Sequence, residues 1–348
     1  MRVLLTGGTG FVGQHLAAEL VGAGHDVVAL DCLLPQVQDD PAAAVAAFPG
    51  DVVRGDVVDP EAWSRLPGVD AVVHLAAETG TAQSMYESDR HRRVNVGGTR
   101  QAGAFAAATD VPLVLLSSRA VYGEGRHRCA DHGVVFGASC CPGAVPEAST
   151  EDDPHRPVSV YGETKSQAEA ALAGLPVPVT IVRPQNVIGP GQSLHNPYTG
   201  VLAAFVARLR EGLPLQVYGD GGQTRDFAHV RDLAAMLRWA VENPDDRVLN
   251  HGTGVRTTLL DLARATIRAA PAADPGIEHV AITRAGDIMH ACSSLDRLRD
   301  AGGPLPRWST YDAVTEFVAW AWERPVARAA TWDQALGELA DHGLAGPG

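Results

Sequence analysis

The chain opens with an apolar run that leads directly into a cluster of glycines. The run RVLL is followed by TGGTGFVG, whose glycines recur every three residues at Gly7, Gly10 and Gly13. Glycine permits a sharp turn, lets the backbone approach a pyrophosphate and lets a helix begin close to a strand. The N-terminus of that helix, with the N–H groups of Phe11 and Val12, carries a partial positive charge. The pattern therefore predicts a strand, a phosphate-binding turn and a helix.

An acidic residue follows the second apolar run. Asp31 ends DVVALD, close to the spacing of about 20 residues after the glycines that is typical of dinucleotide-binding units. A carboxylate there accepts hydrogen bonds from the adenosine ribose hydroxyls and repels a 2′-phosphate. Cys32 comes next, and no arginine adjoins it to neutralise that phosphate. The sequence therefore predicts NAD as the cofactor rather than NADP.

Short β-branched runs alternate with Ala-rich stretches through the first half of the chain. The predicted strands are Arg2–Leu5, Asp26–Leu30, Asp51–Asp56, Ala71–Ala76, Leu113–Ser117 and Val179–Pro184. Such apolar runs suit strands that are covered on both faces. We expect an α/β fold, namely a Rossmann-type doubly wound parallel sheet with a smaller, irregular α/β C-terminal substrate domain. Residues 125–153 have no clear periodicity and are expected to form an insertion or long loop.

The composition excludes several classes of partner. The net charge of −13 argues against a nucleic-acid surface, which needs a basic patch, and requires local positive charge around any anionic ligand. No apolar run approaches the ~18 residues of a membrane helix, and the early strand leaves no room for a cleavable signal. Five cysteines, an odd number, indicate reduced thiols. We expect a cytoplasmic protein with no nucleic-acid and no membrane partner.

The single lysine of the chain lies four residues after a tyrosine. Tyr161 and Lys165, in YGETK, share one face if this segment is helical. An ammonium about 4 Å from a phenol contributes ~4 kcal/mol and would lower the phenol's pKa from about 10 to as low as about 7. The phenol then accepts a proton from a sugar or alcohol hydroxyl. A compact ammonium also suits donation to both nicotinamide-ribose hydroxyls better than a planar guanidinium does.

Five motifs give the chain a resemblance to a known family. With TGGTGFVG, HLAAE, NVGGT, SSRAVYG and YGETK, it resembles the extended short-chain dehydrogenase/reductases, the NAD-dependent epimerases and dehydratases of nucleotide sugars. The resemblance extends from Arg2 to about Trp322. It implies that Tyr161 and Lys165 are catalytic together with Ser118, which hydrogen-bonds the substrate oxygen.

The same resemblance, with the glycine turn, implies two sets of binding residues. The cofactor-binding set is Gly7, Gly10, Phe11, Val12, Gly13, Asp31, Asp56, Val57, Ala76, Ala77, Asn95, Ser117, Tyr161, Lys165 and Pro184. The substrate-binding set is Thr79, Ser118, Asn186, Arg225, Arg284 and Asp287. In the family, Asn186 and Arg225 correspond to residues that contact the diphosphate, and Arg284 and Asp287 to residues that flank the nucleoside.

The resemblance also organises the chain. We expect residues 1–183 to form the NAD-binding Rossmann domain, with 228–254 returning to it, because RVLNHGTG is typical of one more strand. Residues 184–227 and 255–348 are expected to form the domain that binds the nucleotide sugar. Family resemblance implies a homodimer through the helices around 95–108 and 161–173.

Three chemistries compete within the family. Dehydratases carry Thr-Asp-Glu at the positions of Ser118, Arg119 and Ala120, and the arginine and alanine here cannot serve as acid and base. Ketoreductases usually draw fresh NADPH, which Asp31 disfavours. We therefore expect a nucleotide-sugar 4-epimerase that oxidises C4 to a 4-keto sugar and returns the hydride to the opposite face. A non-catalytic NAD-binding protein stays open, although the tyrosine, lysine and serine are all present.

Finer resemblance points to one branch of the family. AETGTAQSMYE, SSRAVYGEG and QNVIGPGQSLHNPYTG are similar to dTDP-L-rhamnose 4-epimerase-like proteins, which implies a dTDP- or UDP-linked substrate. That branch often carries a Cys-rich insertion with C-P-x-H and C-P-x-C spacing. Here Cys129 and His132 keep a C-x-x-H spacing, but Cys140 and Cys141 are adjacent. Because neighbouring cysteines rarely both reach one tetrahedral zinc, we expect reduced cysteines and no bound metal.

Overall fold

The structure, a computed structural model, describes residues 1–38, 40–137, 141, 143–198 and 200–347. The strands are β1 (Arg2–Thr6), β2 (Asp26–Asp31), β3 (Asp51–Arg54), β4 (Ala71–His74), β5 (Leu113–Leu116), β6 (Arg126–Cys129), β7 (Gly133–Phe136), β8 (Val145–Pro146), β9 (Val179–Pro184), β10 (Asn186–Ile188), β11 (Leu215–Tyr218), β12 (Thr224–Arg225), β13 (Phe227–His229), β14 (Arg247–His251), β15 (Thr257–Thr258), β16 (Ile277–Val280), β17 (Ile282–Arg284) and β18 (Ala345–Pro347).

The helices connect these strands and cover both faces of the main sheet. They are α1 (Phe11–Gly22), α2 (Pro41–Ala47), α3 (Pro60–Ser64), α4 (Thr81–Ser84), α5 (Ser88–Arg92), α6 (Thr99–Thr109), α7 (Val160–Ala171), α8 (Val201–Arg210), α9 (Val230–Glu242), α10 (Leu259–Ala269), α11 (Asp296–Asp300), α12 (Thr310–Trp322) and α13 (Ala329–Asp341). A π-helical segment spans Arg93–Gly98, and a 3₁₀ turn spans Arg119–Tyr122.

The main sheet of the described chain has the strand order β14-β9-β5-β4-β1-β2-β3, and every pair in it is parallel. All six predicted strands belong to it. The predicted return of the chain is also present, because β14 pairs with β9 along its whole length. The strand order reverses direction between β1 and β4, and ligands of open parallel sheets bind at the carboxyl ends of the strands at such a point.

Side chains alternate across the sheet into two apolar layers. Leu5 on β1 packs in a buried cluster with Leu16 of α1 and Leu233 of α9. Its neighbour Leu4 packs on the opposite face with residues that include Leu172, just beyond α7. Successive residues of a strand point to opposite faces, so continuous apolar runs produce a strand buried on both sides. The main sheet is therefore packed on both faces, and this packing positions the residues at the carboxyl ends of its strands.

The second half of the chain builds a smaller, less regular unit. Its strand pairs are short: β10 with β13 and β11 with β16 are parallel, while β12 with β15 and β17 with β18 are antiparallel. Helices α8, α10 and α12 pack around Phe317, which is fully buried. The predicted Rossmann-type sheet with a smaller irregular α/β part is confirmed. The domain boundaries stay a prediction.

The segment predicted to be an insertion or long loop contains regular structure. Strands β7, β6 and β8 form a small antiparallel sheet in that order. Sequence reasoning did not anticipate this sheet, because Arg126 and Arg128 leave β6 without an apolar run and the strands have only two to four residues. Local pattern cannot identify strands this short.

Within the described residues, no helix combines the length and the apolar character needed to cross a bilayer.

Candidate active site

Glycines shape the turn between β1 and α1. Gly7 has φ +65°, and a Cβ there would lie 3.0 Å from backbone atoms of Ala76, which follows β4. A Cβ on Gly13 would lie 2.4 Å from the carbonyl oxygen of Gly8. Helix α1 begins after Gly10 with no capping side chain on its first-turn N–H groups. The turn is therefore a cradle that side chains would fill, open to an anion at the helix N-terminus.

Asp31 holds this turn in place. Its Oδ2 accepts hydrogen bonds from the Thr9 backbone N–H (3.1 Å) and hydroxyl (2.7 Å), and its Oδ1 accepts one from the Leu33 N–H (2.9 Å). A carboxylate offers about four acceptor positions, so capacity for a ribose hydroxyl remains on Oδ1. The predicted ribose contact is compatible with this geometry, but the contacts seen here fix the glycine turn.

Most of the predicted cofactor-binding residues border one crevice. They follow the carboxyl ends of adjacent parallel strands: Asp31 ends β2, Asp56 and Val57 follow β3, Ala76 and Ala77 follow β4, Ser117 follows β5 and Pro184 ends β9. The glycine cradle lies at the centre of this row, between β1 and α1. The donor set and the space left by the glycines fit a dinucleotide, with its pyrophosphate at α1.

Asn95 is occupied by protein contacts. Its Oδ1 accepts from the Glu78 N–H (2.8 Å), and its Nδ2 donates to the Glu78 carbonyl (3.1 Å) and to the Thr164 hydroxyl (2.9 Å). The residue lies in the π-helical segment, a distortion that is frequent at functional sites. Asn95 therefore links the loop after β4 to Thr164 of α7, which directly precedes Lys165. Its predicted cofactor contact stays a prediction.

Lys165 is buried on α7 and points at the end of β5. The residue is 5% exposed, and its Nζ donates to the carbonyl of Leu116 at 2.9 Å. Burial lowers the pKa of this ammonium to about 8, and the charge of Glu169 opposes that effect. An ammonium has three N–H donors, so capacity remains for a ligand in the crevice.

A buried network of hydrogen bonds surrounds Glu169, one helical turn after Lys165. Glu169 accepts hydrogen bonds from Arg183 Nε (3.0 Å) and Nη2 (2.7 Å), and from the Ser117 hydroxyl (2.5 Å). Arg183 also donates to the hydroxyl of Tyr122 (2.8 Å). These contacts turn the Ser117 side chain toward α7. The Ser117 hydroxyl is occupied by Glu169, so only the backbone of Ser117 is available to a cofactor, and its predicted role in cofactor binding stays a prediction.

Burial dominates the electrostatics of Tyr161. Burial raises the pKa of its phenol, while a hydrogen bond with the Ser118 hydroxyl and the charge of Arg119 act in the opposite direction. The ammonium of Lys165 lies 5.9 Å from the centre of the Tyr161 ring and is turned to Leu116. The pKa of Tyr161 is therefore raised, because burial outweighs the opposing effects of Ser118 and Arg119, and the predicted effect of Lys165 on the phenol stays a prediction.

A cavity of about 420 Å³ opens beside this group, between the sheet edge and the second half of the chain. Four of the predicted substrate-binding residues line it, namely Asn186, Arg225, Arg284 and Asp287. Ser118 lies beside Tyr161 instead. Thr79 is exposed, and its carbonyl accepts from His91 (3.3 Å), whereas Thr81 is the threonine that lines the cavity.

Arginines give the cavity a positive potential. Arg225 donates to the carbonyls of Ile288 (2.8 Å) and Met289 (3.3 Å), and Arg119 donates to that of Gly123 (2.6 Å). Carbonyl partners orient a guanidinium without neutralising it. Burial lowers the pKa of Arg119 to about 10, and the nearby charge of Arg225 acts in the same direction. An anion bound between these two like charges would relieve both costs.

Arg284 and Asp287, predicted to flank the nucleoside, contact each other. Arg284 Nε and Nη2 pair with the two carboxylate oxygens of Asp287 at 2.9 and 3.1 Å, and the guanidinium lies 4.9 Å from the centre of the Tyr218 ring. The pair is charge-neutral, so it offers shape and hydrogen bonds rather than net charge.

Sequence reasoning missed the aromatic residues of the cavity. Tyr198, Tyr218 and Trp332 line it, and the hydroxyl of Tyr198 donates to Glu338 at 2.5 Å. Trp332 and Glu338 belong to α13, beyond the part of the chain that carries the family motifs. Tyr198 could have been identified from the sequence, because it is an aromatic residue in the Gly/Pro-rich stretch NPYTG. No local sequence feature identifies Trp332 as a cavity residue.

Comparisons with known proteins agree with this geometry. The family model "NAD dependent epimerase/dehydratase family" matches residues 3–252. The dTDP-L-rhamnose 4-epimerase of Burkholderia thailandensis is 35% identical, with 92% of this chain and 94% of that protein covered. The dTDP-glucose 4,6-dehydratase of Streptomyces griseus is 31% identical, with 94% and 98% covered.

A solved structure shares the same architecture. The UDP-glucose 4-epimerase of Thermus thermophilus, in complex with NAD, has a TM-score of 0.77 and 27% identity, with 92% of this chain and 98% of that chain covered.

The glycine cradle gives a direct prediction. Gly13→Ala would place a methyl group 2.4 Å from the Gly8 carbonyl oxygen and push α1 from the turn. We expect NAD affinity, measured by calorimetry, to fall about 5- to 150-fold, the equivalent of about 1–3 kcal/mol of overpacking. The control is Gly22→Ala on the same helix, where a Cβ meets nothing within 4 Å. Equal NAD affinity of the two variants would contradict the proposed cradle.

Proposed function

We propose that this chain, which belongs to the NAD-dependent epimerase/dehydratase family, inverts the configuration at C4 of a sugar carried by a nucleoside diphosphate. Family membership confirms the resemblance drawn from the motifs, and with it NAD as the cofactor. The finer assignment to 4-epimerisation rests on the residues around Tyr161. The observation that carries it is the grouping of Tyr161, Ser118 and buried Lys165 near the cationic Arg119, which lines the cavity.

NAD, when bound, supplies the hydride acceptor and donor for C4. The residues that hold it are those of the glycine cradle, Asp31 and Lys165, and the chain's own groups manage the proton. Tyr161 in its phenolate form takes the proton of the C4 hydroxyl, and Ser118 hydrogen-bonds the same substrate oxygen. The phenol then returns the proton after the 4-keto sugar has presented its other face. Such a cycle needs no external reductant.

The positive cavity supports the other half of the proposal. Arg225 and Arg119 keep their charges and flank a space that fits a diphosphate, and the aromatic rings of Tyr198, Tyr218 and Trp332 can pack on a base and ribose. With the nucleotide held there, the sugar is free to pivot at the sheet edge. An acidic chain thus binds a dianionic ligand through local charge.

Dehydration is the principal alternative, because a dehydratase is among the relatives. The residues after Ser118 are Arg119 and Ala120, so the positions from which family dehydratases supply acid and base carry no carboxyl group here. Net ketoreduction is disfavoured by Asp31, because its carboxylate repels the 2′-phosphate of the NADPH that ketoreductases usually draw. The likeness to a dTDP-L-rhamnose 4-epimerase favours a dTDP-linked 6-deoxy sugar as the substrate.

The activity is tested with purified protein and a panel of dTDP- and UDP-linked sugars, without added reductant. We expect inversion at C4, followed by NMR, with no net formation of NADH. Tyr161→Phe should lower the rate about 10²- to 10⁴-fold, the usual effect of losing an acid–base group, while the half-exposed control Tyr311→Phe should not. In a reaction run in D2O, solvent deuterium at C5 would instead identify a dehydratase, and turnover only after NAD(P)H is added, with its stoichiometric use, would identify a ketoreductase.

The pKa of Tyr161 predicts the pH dependence. Because the phenolate is the active base and burial raises its pKa, kcat should rise with pH through the alkaline range. Arg119 stabilises the phenolate, so Arg119→Met should raise that pKa and move the ascending limb to higher pH. Arg264→Met, at a half-exposed position on α10, should leave the limb in place. An unmoved limb in Arg119→Met would contradict this electrostatic role.

We further propose a cytoplasmic homodimer, formed through α6 and α7. Small exposed residues, Ala104 and Ala108 on α6 and Ala170 on α7, allow close helix packing between two copies. Light scattering should give twice the chain mass, and Ala104→Glu with Ala170→Glu should give monomers. A monomeric parent protein would contradict the proposal.

A further inference from the structure

The small sheet formed by β6, β7 and β8 has little apolar interior. Of the described residues between 126 and 147, those that are buried are His127, Cys129 and Cys141. Three strands of two to four residues cannot bury enough apolar area to order themselves, and units of this size usually depend on a cross-link or a metal. Thiols and an imidazole thus occupy the place of a hydrophobic core.

Three of its donor atoms converge at the tip of the β6–β7 hairpin. His132 Nδ1 lies 3.5 Å from Cys129 Sγ and 3.1 Å from Cys141 Sγ, and all three atoms lie within 4.8 Å of one another. Zn–S and Zn–N bonds of about 2.3 and 2.0–2.1 Å put the ligand atoms of a tetrahedral zinc about 3.6 Å (S to N) and about 3.8 Å (S to S) apart. The Cys129–His132 separation of 3.5 Å matches the S-to-N spacing, and the Cys141–His132 separation of 3.1 Å is about 0.5 Å shorter than it.

The local fold explains why these side chains meet. Cys129, the last residue of β6, pairs with Gly133, the first residue of β7. Gly133 has φ +69°, which closes the turn and brings His132 back beside Cys129. The chain then returns toward β8 and delivers Cys141 to the same point. Two thiols and an imidazole form a donor set that binds zinc in preference to Mg²⁺ or Ca²⁺.

We propose that Cys129, His132 and Cys141 bind a zinc ion that holds this three-stranded sheet together. The proposal differs from the expectation drawn from the sequence, which rested on Cys140 and Cys141 being unable to share one ion. Cys129, His132 and Cys141 meet without any contribution from Cys140, which lies outside the described residues. A tetrahedral ion accepts one further ligand beside these three.

The sheet borders the wall of the substrate cavity. The ring of His127 on β6 packs 6.4 Å from that of His290, whose Nδ1 hydrogen-bonds the Thr224 hydroxyl at 3.0 Å. Thr224 adjoins Arg225. At the root of the hairpin, Glu124 accepts from the Met289 N–H at 2.9 Å. The zinc therefore has a structural role. The sheet that it holds together borders the loop at Met289, and the carbonyl of Met289 accepts a hydrogen bond from Arg225.

The test measures zinc directly in the full-length protein. Protein purified without chelator should contain about one zinc ion per chain, the stoichiometry of a single site. His132→Asn, at an exposed position that packing does not require, should lose most of it, as should Cys129→Ser. Cys32→Ser, an exposed thiol elsewhere, should keep it.

A second measurement does not depend on variants. Chelation of the parent protein should lower its melting temperature, and added Zn²⁺ should restore the temperature in the parent but not in His132→Asn. Zinc-free parent protein that also fails to bind added Zn²⁺ would overturn the proposal. So would equal zinc content in His132→Asn and the parent. Because both readouts are independent of turnover, they also separate this inference from the proposed epimerase activity.

Discussion

One hydrogen bond fixes the geometry of the candidate active site. The buried ammonium of Lys165 donates to the carbonyl of Leu116, the last residue of β5, and so ties α7 to the carboxyl edge of the sheet. Ser118 lies two residues beyond that carbonyl and Tyr161 one helical turn before the lysine. The contact therefore helps to hold the hydroxyl of Ser118 close to the phenol of Tyr161. A lysine can be buried here because Glu169, one turn further along, opposes the cost of desolvation.

The site is a balance between burial and charge. Burial raises the pKa of Tyr161 and lowers that of Lys165, and both shifts disfavour the ionised pair that the chemistry uses. Arg119 and Ser118 counteract the first shift. The same arginine lines the cavity together with Arg225, whose like charge disfavours the ionised form of Arg119, so an anionic ligand between them would be favourable. In the proposed function, Arg119 therefore contributes both to binding the nucleotide and to tuning the base.

The sequence allowed prediction of features that local pattern determines. The six sheet strands and the glycine turn follow from apolar runs and backbone freedom, and Tyr161 and Lys165 follow from helical spacing. Features that depend on distant parts of the chain could not be predicted. Asn95 is occupied by Glu78 and Thr164, Arg284 pairs with Asp287, and Trp332 reaches the cavity from α13. The convergence of Cys129, His132 and Cys141 likewise required a hairpin too short and too charged to recognise.

The central claim is that the C4 hydrogen of the substrate leaves and returns within one site governed by Tyr161. It is tested most directly with a nucleotide sugar that is turned over and carries deuterium at C4. The account predicts slower turnover than with the protium substrate and a product inverted at C4 that keeps its deuterium there. Loss of the deuterium to solvent, or inversion with no isotope effect and deuterium at another carbon, would contradict it.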